Sequence, residues 1–302
     1  MDQGRRIPAL DPRWGDGGLG QSKRRPLKVG QGTAETRKKL RAPQEEMDHW
    51  IESVRRCIEE HLSPEERRIF REEFFPEKRL RVGRNGLSNV LVVAPHGFPG
   101  DDDHTDYLAF FLAKELRAFY LINNKAFYKP GRNHSFGKPA NLNRPWSSNP
   151  HTRRFVELIL EMVSVIGSRG AHVPIVLCIH GMSDVNARKF SAGDFCLGAG
   201  YTREEKENAF REGGPATASL GLIEGILQGL RRMGYKATDG IPPYCGKRAI
   251  PGYLKAMEPV VGRTEAVQVE IRYLGFRDPH NIVKTAREMA QVVRELPSYR
   301  RF

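Results

Sequence analysis

The sequence predicts an α/β protein, a three-layer α/β/α sandwich around a mostly parallel or mixed central sheet. Short β-branched apolar runs recur along the chain, and segments of helical period lie between them. Three of the runs, VLVVAPH, PIVLCIH and AVQVEIR, deliver a polar residue at or near their ends: His96, His180 and Glu270. Open α/β sheets place their sites outside the carboxyl ends of strands, so three such residues can converge there.

Taken in order, Met47, Trp50, Ile51, Val54 and Ile58 recur at three- and four-residue spacing and predict an amphipathic helix from Glu45. Ser63-Pro64-Glu65-Glu66 supplies an N-cap, a proline at the first helical position and acids in the first turn, opening a second helix toward Phe74. Both helices are expected on the outside of the main domain. Residues 90–94, bounded by Gly86, Ser88 and Pro95, suit a buried central strand. Thr105 is the expected N-cap of a helix carrying Leu108, Phe111, Leu112 and Leu116 inward, and residues 119–122 read as the next strand. A helix over 154–166 precedes a strand over 174–179 and a glycine-rich region through Gly200. A helix over 216–233 leads to a last strong strand, 266–273, and Pro279 is expected to open the terminal helix toward Leu296. No internal repeat is visible.

Composition narrows the class. Of 302 residues, 39% are hydrophobic and 28% charged, and no run approaches the roughly 20 apolar residues of a membrane span. The first residues lack an apolar h-region, so a cytoplasmic protein is expected, with no membrane partner. Cys57, Cys178, Cys196 and Cys245 form no CxxC pair and read as reduced, partly buried thiols. The net charge is +13, but residues 1–44 hold eleven Lys and Arg against four Asp and Glu, so +7 of it lies there. Such a tail, poor in large apolar residues, reads as disordered; nucleic-acid contact through it is possible but not favoured.

Two histidines and a carboxylate are the ligand set of a catalytic zinc. Behind His96 stand Asp101, Asp102 and Asp103, which repel one another unless a cation neutralises them. The intervening Gly97-Phe98-Pro99-Gly100 can turn Asp101 or Asp102 back toward His96.

The pattern Ala94-Pro95-His96-Gly97, then Asp101-Asp102, Thr105 and Asp106, with His180 and Glu270 following in order, resembles the N-formylglutamate amidohydrolase family and its relatives, the phage poly-γ-glutamate hydrolases. The resemblance covers about residues 88–295 and implies a zinc-carboxypeptidase/phosphorylase-hydrolase-like fold. It implies one zinc ion per chain on His96, Asp101 or Asp102, and His180, with Glu270 as general base. The acid is Asp where poly-γ-glutamate hydrolases and carboxypeptidases carry Glu. Asn143-Arg144 falls where these enzymes carry an Asn-Arg pair that binds a substrate carboxylate, a task suited to the guanidinium fork. Arg277, grouped with that pair at the substrate, or Arg169 would stabilise the oxyanion.

The chain then divides into a disordered basic tail (1–44), a helical N-terminal extension (45–80) and a metal-hydrolase-like α/β domain (81–302). The implied activity is zinc-dependent hydrolysis of an amide in a small carboxylate-bearing substrate. The alternative is a non-catalytic binding protein on the same fold whose tail contacts RNA or another anionic partner. Each candidate also has a structural role open to it: Glu270 as the ion-pair partner of Arg272, Thr105 and Asp106 as helix braces, Cys178 as a buried thiol. Asp184 could orient a ligand histidine. His104, His134, His151, His172 and His280 carry no motif.

Overall fold

The computed structural model describes residues 44–74, 80–97, 102–123, 142–170 and 172–302. The tail and Asp101 lie outside the described residues, as does His134.

The N-terminal helices are α1 (Gln44–Glu59) and α2 (Pro64–Ile69), the latter continued by a wider turn over Phe70–Phe74. Ser63 caps α2 as its sequence predicts, its hydroxyl accepting from the Glu66 N–H while the Glu66 carboxylate accepts from the Ser63 N–H. Val54, Ile58, Phe70 and Phe74 are buried in one core with Tyr107, Phe110 and Phe111, so these helices contribute to the main core.

Then follow β1 (Leu80–Gly83), β2 (Val90–Ala94), α3 (Thr105–Leu116), β3 (Phe119–Asn123), α4 (Pro150–Ser168), β4 (Ile175–Met182) and α5 (Asp184–Lys189). The second half holds β5 (Phe195–Gly198), α6 (Lys206–Ala209), α7 (Leu220–Arg232), β6 (Ala237–Asp239), α8 (Ile250–Ala256), α9 (Glu258–Val261), β7 (Glu265–Arg272) and α10 (Ile282–Arg294). The seven strands form one mixed sheet in the order β1-β3-β2-β4-β7-β5-β6. Strands β3, β2, β4 and β7 run parallel; β1 joins β3, and β5 joins β7, antiparallel.

Both faces are covered. Val90, Val92 and Ala94 face a core shared with α3, α7 and α10, while Leu91 and Val93 face one shared with α4 and α8. Burial on both faces is why the run is continuously apolar rather than alternating. From β2 the chain crosses over to β3 on one side, and from β3 it returns past β2 to β4 on the other. The carboxyl ends of β2 and β4 therefore flank a topological switch point, the place where α/β sheets open a crevice.

Three expectations need correction. β4 runs on through His180 to Met182, because β7 pairs with it as far as Met182↔Arg272; His180 is inside the strand rather than after it. Thr105 does not cap α3: His104 takes the cap position in a left-handed conformation (φ 66°), and Thr105 is the first helical residue. Pro279 does not open the last helix, which begins at Ile282 after a turn in which Asn281 N–H donates to the Asp278 carbonyl at 2.9 Å.

Candidate metal and catalytic site

The registers of β4 and β7 pair His180 with Glu270 directly. In parallel neighbours about 4.8 Å apart, paired residues put their side chains on the same face. By alternation along each strand this is the face of Cys178 and Ala266, the α4 and α8 side. His96 follows β2 by two residues, and its ring centroid lies 5.3 Å from that of His180. Asp102, in a left-handed conformation (φ 50°), places Oδ2 2.9 Å from His180 Nδ1. His180 donates that bond from a ring nitrogen whose tautomer follows from the carboxylate acceptor. Burial alone would raise the Asp102 carboxyl; the His180 bond and the nearby His180, His96 and Arg277 outweigh it and hold it below the usual range.

Glu270 is treated oppositely. Burial first, then the charge of Asp102, pushes its carboxyl up to about 8, against the Gln268 bond and the positive fields of Arg277 and His96. Gln268 Nε2 donates to Glu270 Oε1 at 2.7 Å, and Asn143 Nδ2 lies 3.5 Å from Gln268 Oε1. Asn143 Oδ1 in turn accepts from the Ile250 N–H at the start of α8, at 3.4 Å. An amide chain thus joins the 142–149 loop and α8 to the carboxyl group. Arg144 lies beside it, exposed.

Arg277 is 3% exposed and is held by backbone carbonyls: Nε donates to Ile271 O at 2.8 Å, Nη2 to Met182 O at 3.2 Å and Nη1 to Asp103 O. A methyl group on Gly181 would meet its guanidinium carbon at 2.3 Å, so the cation lies flat against β4 at the residue after His180 only because that residue is glycine. Burial pulls the Arg277 pKa down, opposed by Asp102, Asp103 and Glu270. Arg277 is therefore a fixed positive charge under the site. Arg169 is at the other end of the sheet, donating to Gly86 O at 2.7 Å, ahead of β2.

The turn carrying Asp102 is braced at its base. Thr105 Oγ1 lies 2.9 Å from Asp102 O and also against His96 O, its one proton shared between the two carbonyls, and Gly97 lies so close to Asp106 that an added Cβ would meet the Asp106 Cβ at 2.4 Å. Asp184 does not touch a histidine: its Oδ1 accepts from Leu274 N–H at 3.3 Å and lies 3.5 Å from Arg272 Nε. Cys178 is a buried free thiol whose pKa burial pushes up. The sequence reading passes over three residues here. His104 is buried with Nδ1 donating to Arg277 O at 3.0 Å; Gln268 shares the face of Glu270 at the period of a strand, the signal that could have found it. Tyr244, whose phenol is pushed up by burial and then by Glu270, arrives on a loop after β6 with no sequence signal.

Two imidazoles and a carboxylate are zinc-type donors, and the chemistry of the set fits that ion. In the present arrangement Asp102 is spent on His180 Nδ1, the place of a carboxylate that orients a ligand histidine. Among the described residues, the donors whose ligand atoms all lie within 4.8 Å of one another are a different trio, Cys57, His61 and His280.

No protein-family model matches the chain, and no curated protein matches it. Solved structures similar to it include an N-formylglutamate amidohydrolase from Ralstonia eutropha JMP134, 17% identical over 70% of this chain and 94% of that one, with a TM-score of 0.46. A bacteriophage poly-γ-glutamate hydrolase is 14% identical over 72% of this chain and 86% of its own, at a TM-score of 0.39. A gene product of Agrobacterium tumefaciens is 14% identical over 74% and 98%, at 0.47. The first two bear the names that the motif order resembles, but at these scores the likeness carries no weight in assigning chemistry. No helix among the described residues is long and apolar enough to cross a membrane.

Proposed function

We propose that the chain is a metal-dependent hydrolase that cleaves an amide bond in a small carboxylate-bearing substrate, an N-formyl or N-acyl amino acid or a γ-glutamyl-type amide. The observation that supports this most is the placement of His96, His180 and Glu270 at the carboxyl ends of three adjacent strands, β2, β4 and β7, beside the switch point. His96, His180 and a carboxylate of the Asp101–Asp102 pair would hold one zinc ion. Bound there, zinc would supply a Lewis acid for the scissile carbonyl and lower the pKa of water.

The chain's own groups would do the rest. Asp102, where it is not a ligand, would fix the His180 ring through Nδ1. Glu270 would take a proton from the attacking water and return it to the leaving amine, its Oε1 held by the Gln268 amide. Arg277 would favour negative charge developing at the site through its field, while the substrate carboxylate would be bound by Arg144, with Asn143 positioning Gln268 and Glu270. The test is metal content together with turnover of a panel of N-formyl and N-acetyl amino acids, for wild type and Glu270→Gln. Zinc uptake with turnover lost in the variant supports the reading; a wild type that takes up no zinc, or a variant with unimpaired turnover, overturns it.

A further inference from the structure

On the side of the molecule where α1 meets the start of α10, Cys57, His61 and His280 bring a sulfur and imidazole nitrogens within 4.8 Å of one another. Cys57 Sγ lies 3.1 Å from His280 Nδ1 and 3.6 Å from Nε2, and the His61 and His280 rings meet edge to face at 5.9 Å between centroids. Cys57 and His61 are four residues apart, and the turn after α1 keeps them on one face: Glu60 N–H donates to Arg56 O and His61 N–H to Ile58 O. His280 reaches them across 223 positions of sequence, from a turn whose direction Pro279 restricts. Donors at 2.0–2.3 Å from a tetrahedral zinc stand about 3.3–3.8 Å apart, a range that takes in the 3.6 Å from Cys57 Sγ to His280 Nε2.

We propose that Cys57, His61 and His280 form a second cation site, for zinc or another thiophilic divalent ion, distinct from the site on β2, β4 and β7. The thiolate selects against magnesium and calcium, and two imidazoles with one thiolate complete three corners of a tetrahedron, leaving the fourth to water. The acids beside the cluster add to the attraction: Glu60 and Asp278 act electrostatically on the Cys57 sulfur. On binding, the Cys57 proton passes to solvent and a sulfur–metal bond replaces the contact with the His280 ring. The ion latches α1 to the turn before α10. That turn begins one residue after Arg277, the buried cation under the β4 site.

Cobalt(II) reads this site separately from the other, because a thiolate ligand gives a charge-transfer band in the near ultraviolet and the proposed catalytic donors include no thiolate. Cobalt(II) is titrated past two equivalents, enough to fill both sites, into the full-length chain and into Cys57→Ser, His280→Gln and His96→Ala, with circular dichroism confirming that each is folded. The band is expected in wild type and His96→Ala, lost in Cys57→Ser and weakened in His280→Gln, and zinc is expected to displace the cobalt. No band in wild type, or a band that survives Cys57→Ser, overturns the proposal. Loss of amide turnover in His96→Ala with the band intact bears on the catalytic reading alone.

Discussion

At the residue scale, two buried carboxyl groups near the site are both raised chiefly by burial and make different predictions. Glu270 is raised by burial and by Asp102, and as a general base it is expected to account for a factor of about 10² to 10⁴ in turnover; Glu270→Gln should lower kcat by that factor while zinc content, measured by atomic emission, stays unchanged. Asp106 is not among the proposed ligands. Burial pushes it up to about 7, with Arg81 opposing, and its Oδ1 has no hydrogen-bond partner. A folded-state pKa above the unfolded value means that the folded chain holds the proton more tightly. The stabilisation is thus complete below the unfolded carboxylate range, near pH 4, and is lost as pH rises through about 7. Thermal unfolding between about pH 5 and pH 8 should show a falling melting temperature in wild type and a flatter profile in Asp106→Asn. The difference corresponds to at most about 4 kcal/mol for a shift of this size. Equal slopes would refute the assignment.

At the element scale, the contact between β4 and Arg277 rests on the absence of a side chain at Gly181. Gly181→Ala must displace a guanidinium that three backbone carbonyls hold, so turnover is expected to fall at least tenfold although no proposed ligand or base is altered; a variant with wild-type kcat would remove Arg277 from the mechanism. The N-terminal helices can be probed through Phe70, whose ring lies 5.1 Å from Phe111 and 5.3 Å from Phe74. Phe70→Ala should cost about 3–5 kcal/mol in urea unfolding of the whole chain, as for a large buried aromatic. The same scale shows what the sequence makes legible. Strands β2, β4 and β7 are buried on both faces and announce themselves as apolar runs, so the order of His96, His180 and Glu270 along the chain becomes their order across the sheet. Strands β1, β5 and β6 have four, four and three residues and carry no such run. What makes them strands is a neighbour supplied by the rest of the fold. The same holds for His280, which is unremarkable until α1 is folded beside it, and for Asp102, whose bond to His180 spans 78 positions.

For the whole molecule, the net charge and the site's own charges differ in sign. Of the net +13, +7 belongs to residues 1–44, whereas the buried charges around Arg277 are mostly acidic. If the tail engages nucleic acid, binding to a single-stranded oligonucleotide should fall steeply with salt and be abolished by deleting residues 1–44, with amide turnover unchanged. Binding that persists without the tail would place the contact on the folded body instead.

The Thr105 hydroxyl also ties the site to α3. It shares its one proton between the carbonyls of His96 and Asp102, and Thr105 is the first residue of that helix. The backbones of both candidate donors are therefore fastened to the same helix end, and a displacement of α3 carries the two together instead of separating them.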